Sequence, residues 1–336
     1  MIDNFEKALR TIDPSVSLPY WDWTLDSQRP ASSEIFKNEY FGGDGDPVSH
    51  CVNTGVAAGW TTTIPVAPTR PAPTCLRRCW TWGALYPPEA VTTLMNQAST
   101  FDALRLSIEG GPHGTVHIQG GGSCGDMSTM YSPNDPVFFL HHAMVDKIWH
   151  RWQSGCTAFQ NLYDGVGVSH MDVMIPWGIT VQDAMNTQGG NLCYTYSNSP
   201  GDLPLNLQCP NDLNFPNNTT MGNANSLSAF WFQEAIQMLV AKPMQNVTKR
   251  SLEDKPLPTY TPRSNLSIVA PKRKDFTDTI HLRHPTELTL EYIQMHRLDP
   301  YQVRSNEIKI KYLIDDLNNQ RDYVSRAAIA QEIEWN

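Results

Sequence analysis

Basic residues are in short supply along this 336-residue chain: 25 Lys and Arg stand against 34 Asp and Glu, a formal net charge of −9. That balance disfavours nucleic-acid binding, which calls for a basic patch. Runs of about 18 consecutive apolar residues, the length a membrane-crossing helix needs, are missing, so no membrane span is expected. The opening Met1-Ile-Asp-Asn-Phe-Glu-Lys lacks the basic start and apolar stretch of a secretory leader. Histidine does not occur before His50. Cysteine is present but never in paired clusters of the zinc-binding kind: Cys75-Leu-Arg-Arg-Cys79 has no second pair to complete it.

What remains is a globular composition, 40% hydrophobic and 10% aromatic, enough to bury a sizeable core in one large or two modest domains. The seven cysteines, Cys51, Cys75, Cys79, Cys124, Cys156, Cys193 and Cys209, are spread through Pro- and Gly-rich loops and read as a disulfide set. Their odd number leaves one thiol free or short of a partner. Glycosylation sequons at Asn217, Asn218, Asn246 and Asn265 agree with a secreted, extracellular glycoprotein.

Chemistry concentrates in two stretches. In Pro112-His113-Gly114-Thr115-Val116-His117 the two histidines are four apart, so on a helix they sit one turn above each other and both rings can point at one ion. In Asn134-Asp135-Pro136-Val137-Phe138-Phe139-Leu140-His141-His142, followed by Asp146, an apolar run leads into histidine on a buried helix. Three neutral imidazoles without cysteine or carboxylate suit copper or zinc, and spacing alone does not choose between them.

Together with Leu18-Pro19-Tyr20-Trp21-Asp22-Trp23, these two stretches resemble the tyrosinase, catechol oxidase and molluscan hemocyanin family over residues 1 to about 155. The resemblance implies a mainly α fold, a four-helix bundle core of the di-copper type with long irregular loops. It also implies copper as cofactor, dioxygen and a phenol or catechol as partners, and His113, His117 and His142 as ligands of the second of two coppers. His141 is expected to point elsewhere. Glu109, four residues before His113, falls where related phenol oxidases carry a Glu that holds a water for deprotonating the phenol. An equal alternative is that it only orients an imidazole. Gly114 stands where some relatives have the Asn or Asp that partners this Glu, which tilts expectation from monophenol hydroxylation towards diphenol oxidation.

The first copper's histidines lie, in the family, upstream of the Pro-Tyr-Trp-Asp motif, where this chain has none. The chain is therefore expected to be either a fragment opened at an internal methionine or a natural half-site, the fragment being favoured, and to carry only the second copper site. It should be poorly active alone, since the family's oxygen chemistry draws one electron from each of two coppers. Against an oxidase for pigment, cuticle or shell-matrix cross-linking stands a non-catalytic relative: a matrix protein with extracellular matrix contacts, or an oxygen carrier. The carrier is disfavoured because hemocyanin units place a strand-rich domain after the copper domain, whereas residues 275–320 look helical.

Punctuation sets the remaining boundaries. A copper domain is expected over 1–255, a Pro-, Ser- and base-rich linker over 256–274, and a helical extension over 275–336. Within the first, helices are expected over 2–12, between Leu85 and Leu106, around His113 and His142, and over Ser226 to Ala241; residues 26–90 read mostly as irregular. Trp21, Trp23, Trp149 and Trp152 are assigned to the core, and Phe138, Phe139 and Met144 are the candidates for a site wall. Asp146 is expected in a structural salt bridge. The scattered His150, His170, His281, His284 and His296 are assigned no metal role.

Overall fold

The structure, a computed structural model, describes residues 1–62, 73–175, 177–190, 192–209, 281–320 and 323–331. The expected linker, the Ser226 to Ala241 helix and the four sequons lie outside the described residues. Helices dominate: α1 (Ile2–Arg10), α2 (Pro88–Gln97), α3 (Phe101–Ile108), α4 (Gly114–Gly121), α5 (Val137–Ser154), the short α6 (Val181–Met185), then α7 (Leu290–Met295), α8 (Pro300–Asn319) and α9 (Arg326–Ala330). Strand is confined among the described residues to two antiparallel pairs of two residues each, Thr61–Thr62 with Thr74–Cys75 and Val173–Met174 with Ile179–Thr180. The mainly α expectation therefore holds, as does the loop character of the described residues of 26–90 up to the start of α2 at Pro88, where among the described residues the loop is interrupted by short 3-10 turns and the first strand pair.

Local chemistry explains where the helices start. Pro88 opens α2, where a missing N–H costs nothing. Thr100 caps α3 by accepting from the Ala103 N–H at 3.1 Å. Asp135 accepts from the N–H of Val137, the first residue of α5, at 3.0 Å. The same carboxylate receives the buried Arg78 guanidinium in a two-pronged contact, at 2.7 and 2.9 Å. Arg78 spends a further nitrogen on the carbonyls of Phe41, Gly42 and Gly43, so both charges are matched out of water.

The main core is one cluster built from Leu94 and Met95 of α2, Leu104 and Ile108 of α3, Val116 of α4, and Phe138, Phe139, Ile148 and Trp152 of α5. Trp21, Trp23 and Trp152 are buried in it as expected, and Trp149 packs against its edge. Leu282 and α8 residues Ile310 and Ile314 belong to the same cluster, so the C-terminal helices share the core formed by α2 to α5. Leu288, Tyr292, Ile293 and Val303 form a smaller cluster, packed against Ile118 of α4. Disulfides join Cys51 to Cys75, Cys79 to Cys124 and Cys156 to Cys209, and Cys193 is free and exposed.

Asp146 departs from expectation. Its carboxylate accepts from the Tyr196 hydroxyl at 2.6 Å in place of a salt bridge with a side-chain cation, and burial pushes its pKa up. The neighbouring cation, Lys147, turns to Asp202 at 2.8 Å and to the Tyr20 hydroxyl at 3.0 Å.

Candidate metal centre

The backbone delivers the first two histidines through a break and a restart. Gly110 and Gly111 leave helical geometry, with ψ of 22° and −110°, and Pro112 then presets the turn from which His113 leads into α4. His113 and His117 thus face the same way one turn apart, with ring centroids 4.6 Å apart. From α5, His142 brings its ring to 5.1 Å from His113 and 5.4 Å from His117.

Hydrogen bonds fix which nitrogen each ring presents. His117 Nδ1 donates to the Met127 carbonyl at 2.8 Å, which leaves its Nε2 lone pair facing His142 Nε2 at 3.2 Å. Two imidazole nitrogens on one tetrahedral ion, each at about 2.0–2.1 Å, stand about 3.3 Å apart. His113 Nδ1 lies 3.1 Å from Glu109 Oε2, which leaves its Nε2 as the acceptor. Burial drives the His117 pKa down to about 3 and those of His141 and His142 well below the usual value, each ring adding to its neighbours' penalty. Imidazoles whose ligand atoms gather within 4.8 Å of one another are a donor set for a soft to borderline cation, and their chemistry fits copper.

Two expectations change here. His141 does not point away: its ring is fully buried, stacks on His113 at 5.2 Å and 15°, and lies 5.2 Å from His142. One ligand atom from each of His113, His117, His141 and His142 falls within 4.8 Å of the others. Neither His141 nitrogen has a hydrogen-bond partner of good geometry, although the His113 carbonyl is near enough to favour its protonated form. His296, set aside as an isolated histidine, arrives beside Glu109 with Nδ1 at 2.8 Å from Oε1. Tyr292 comes with it, its hydroxyl 3.4 Å from Glu109 Oε1 and 3.5 Å from His113 Nδ1. Sequence reasoning missed both, since neither has a spacing partner; the glycines at 110, 111 and 114 were the available signal of a close approach.

Glu109 is consequently spanned by two imidazoles. Burial alone would raise its pKa, but His113 and His296 hold it well below the ordinary carboxylate value. That arrangement suits orienting an imidazole. Phe138 walls the site at 4.0 Å from the His142 ring, whereas Phe139 stacks on Phe5 at 3.7 Å and Met144 lies in the core.

Against known proteins, the common central domain of tyrosinase matches residues 2–155. The tyrosinase of Streptomyces antibioticus is 33% identical over 198 residues, covering 54% of this chain and 71% of that protein. The chain belongs to the tyrosinase family. Tyrosinase ustQ of Aspergillus flavus is 32% identical over 225 residues, 57% of this chain and 60% of its own length. The chain spans 60% of that tyrosinase and 58% of the Streptomyces lincolnensis tyrosinase, to which it is 36% identical over 163 residues. A solved polyphenol oxidase variant from Thermothelomyces thermophila superposes with a TM-score of 0.46 at 25% identity, over 59% of this chain and 70% of that one. Membership of this tyrosinase family implies copper.

Proposed function

We propose that this chain carries the second copper site of a secreted oxidase that converts phenols or catechols to quinones with dioxygen. His113, His117 and His142 are its ligands. The observation that carries the reading is the convergence of three imidazoles from two helices, two of them with Nδ1 already engaged so that Nε2 is left for the metal. Bound copper supplies the electron exchange between dioxygen and the phenolic substrate. The protein's part is to hold the His117 and His142 rings neutral by burial, keep the ligand rings oriented through Met127 and Glu109, and wall the site with Phe138.

Among the described residues there is one imidazole cluster, so the paired-copper chemistry of the family requires three further histidines from outside it. Three disulfides agree with an oxidising, extracellular setting. The two imidazoles on Glu109, His113 and His296, support the orienting role for it over proton removal from a phenol.

Copper content and catechol oxidation of the native protein test this. Copper that is retained by the wild type and lost in His113→Ala and His117→Ala, together with oxygen-dependent quinone formation, is the expected result. A native protein that takes up no copper would overturn the metal reading. Copper bound at the predicted ligands with no oxidation of any phenol or catechol would sink the oxidase and leave a structural relative.

A further inference from the structure

The first ligand's surroundings are built by a segment nearly 180 residues downstream. Glu109 Oε2 faces His113 Nδ1 at 3.1 Å, while Oε1 is taken by His296 Nδ1 at 2.8 Å and approached by the Tyr292 hydroxyl at 3.4 Å. The Glu109 side chain is 32% exposed whereas His296 is 11% exposed, so without the second imidazole water would compete for the carboxylate and free it to swing outward. His296 also stacks on Tyr292 at 3.7 Å and 22°. Arg297, immediately after it, takes the left-handed conformation at φ 50°, which ends α7 with the His296 ring turned to Glu109.

The rest of the segment is anchored independently. Thr289 caps α7 through the Tyr292 N–H, the Leu288 N–H donates to Glu307 Oε1 at 2.8 Å, and Arg304 holds the other Glu307 oxygen at 2.6 Å. On the facing side, three positions around His113 lack side chains where this segment or its neighbours press in. A Cβ on Gly110 would meet Val303 at 3.0 Å, one on Gly111 would meet the Tyr86 hydroxyl at 3.3 Å, and one on Gly114 would meet Tyr292 at 2.6 Å. The ligand turn and the C-terminal segment are shaped to each other.

We infer that His296, seconded by Tyr292, is a positioning residue of the metal centre: by fixing Glu109 it sets the tautomer and orientation of His113, so that the C-terminal segment completes the copper site. The inference rests on the copper reading above. His296 makes no contact with the metal or substrate in this scheme; it acts through Glu109, as the outer partner of a carboxylate–histidine–metal chain.

The test uses the full chain as wild type, His296→Ala, His296→Gln and Glu109→Gln. Copper affinity is measured by competition with a chelator across pH, and long-range nitrogen–proton NMR of the metal-free protein reports which His113 nitrogen is protonated. The wild type should show the Nδ1–H form of His113. His296→Ala should lose about 10- to 100-fold in copper affinity and mix the His113 tautomers, and His296→Gln, which can still donate to Glu109, should restore most of both. Unchanged affinity and tautomer in His296→Ala would overturn the inference, as would an Nε2–H form of His113 in the wild type, a result that does not depend on any variant folding. A wild type that binds no copper would refute the copper reading, while the tautomer measurement still decides the role of His296.

Discussion

Replacing Gly114 by Ala adds a single methyl group at the first residue of α4, directly after His113. The backbone there is ordinary right-handed helix, φ −61° and ψ −37°, so no conformational demand requires glycine. On propensity alone the change would gain up to about 1 kcal/mol. The new Cβ, however, would sit 2.6 Å from Tyr292 Cε1 and 2.8 Å from Cζ. Tyr292 is 3% exposed and confined by Leu288, Ile293 and Val303, so it has little room to retreat, and overpacking of this kind costs about 1–3 kcal/mol. The net expectation is a loss of about 1 kcal/mol. In a Tyr292→Ala background the obstruction is gone, and Gly114→Ala becomes neutral or mildly stabilising. A double-mutant cycle by urea denaturation of the four metal-free proteins should therefore give a coupling of about 1–2 kcal/mol, against the 0.3–0.5 kcal/mol within which independent sites add. Additive effects would show that α7 does not pack on the ligand helix in solution, and would remove the physical ground for placing Tyr292 and His296 at the site.

Acid should destabilise the metal-free protein well above the range where carboxylates titrate. The His117 pKa is depressed by burial from 6.5 to about 3, so its contribution is fully present above 6.5 and is lost as pH falls from there towards about 3. At pH 5 that one group removes about 2 kcal/mol relative to pH 7.5, with His141 and His142 acting in the same direction; the stabilisation from Glu109, whose pKa is held down from 4.5, is fully present above that value and is lost only as pH falls below it. Urea midpoints that stay level between pH 7.5 and 5 would contradict the burial of these rings. Arg78→Met should cost about 3–5 kcal/mol by stranding the buried Asp135 charge, whereas the paired change Arg78→Met with Asp135→Leu should recover part of it; thermal melts separate the two. Opening the Cys79 to Cys124 bridge by Ser substitution of both should cost about 2–5 kcal/mol, measured as a lowered urea midpoint. Phe138→Ala removes the ring lying 4.0 Å from His142 and should lower both stability, by about 3–5 kcal/mol, and copper affinity; a loss of stability with unchanged affinity would demote Phe138 to plain core.

Local signals carried the parts of this site that local geometry decides. The four-residue spacing of His113 and His117 is a statement about one helical turn, and it survives the kink at Gly110 and Gly111 because Pro112 restarts the helix before the first ligand. One or two helices between Leu85 and Leu106 were legible from the sequence, whereas their starts at Pro88 and after Thr100 came from the structure. Pairing of the cysteines was not legible, because it depends on which loops meet. Nor was the fate of Asp146, whose tyrosine partner lies 50 residues away.

His141 and His296 mark the two ways in which periodicity stops short. Neighbouring residues on a helix point about 100° apart, which argued that His141 must leave the site if His142 enters it. The argument holds for a helix facing a flat surface. Here α5 meets a concave face formed by His113 and His117, and two directions 100° apart both fall on it: the His141 ring lies over His113 at 5.2 Å while His142 Nε2 reaches His117 Nε2 at 3.2 Å. For His296 no local rule applies at all, since its position is set by α7 and α8 docking through Leu288, Ile293, Val303 and the shared core at Ile310 and Ile314. What the sequence did hold was the imprint of that docking on the other side, glycines flanking His113 at 110 and 114. A glycine in right-handed helix has no conformational reason to be there, so Gly114 was already a statement that something from elsewhere in the chain comes close to the first ligand.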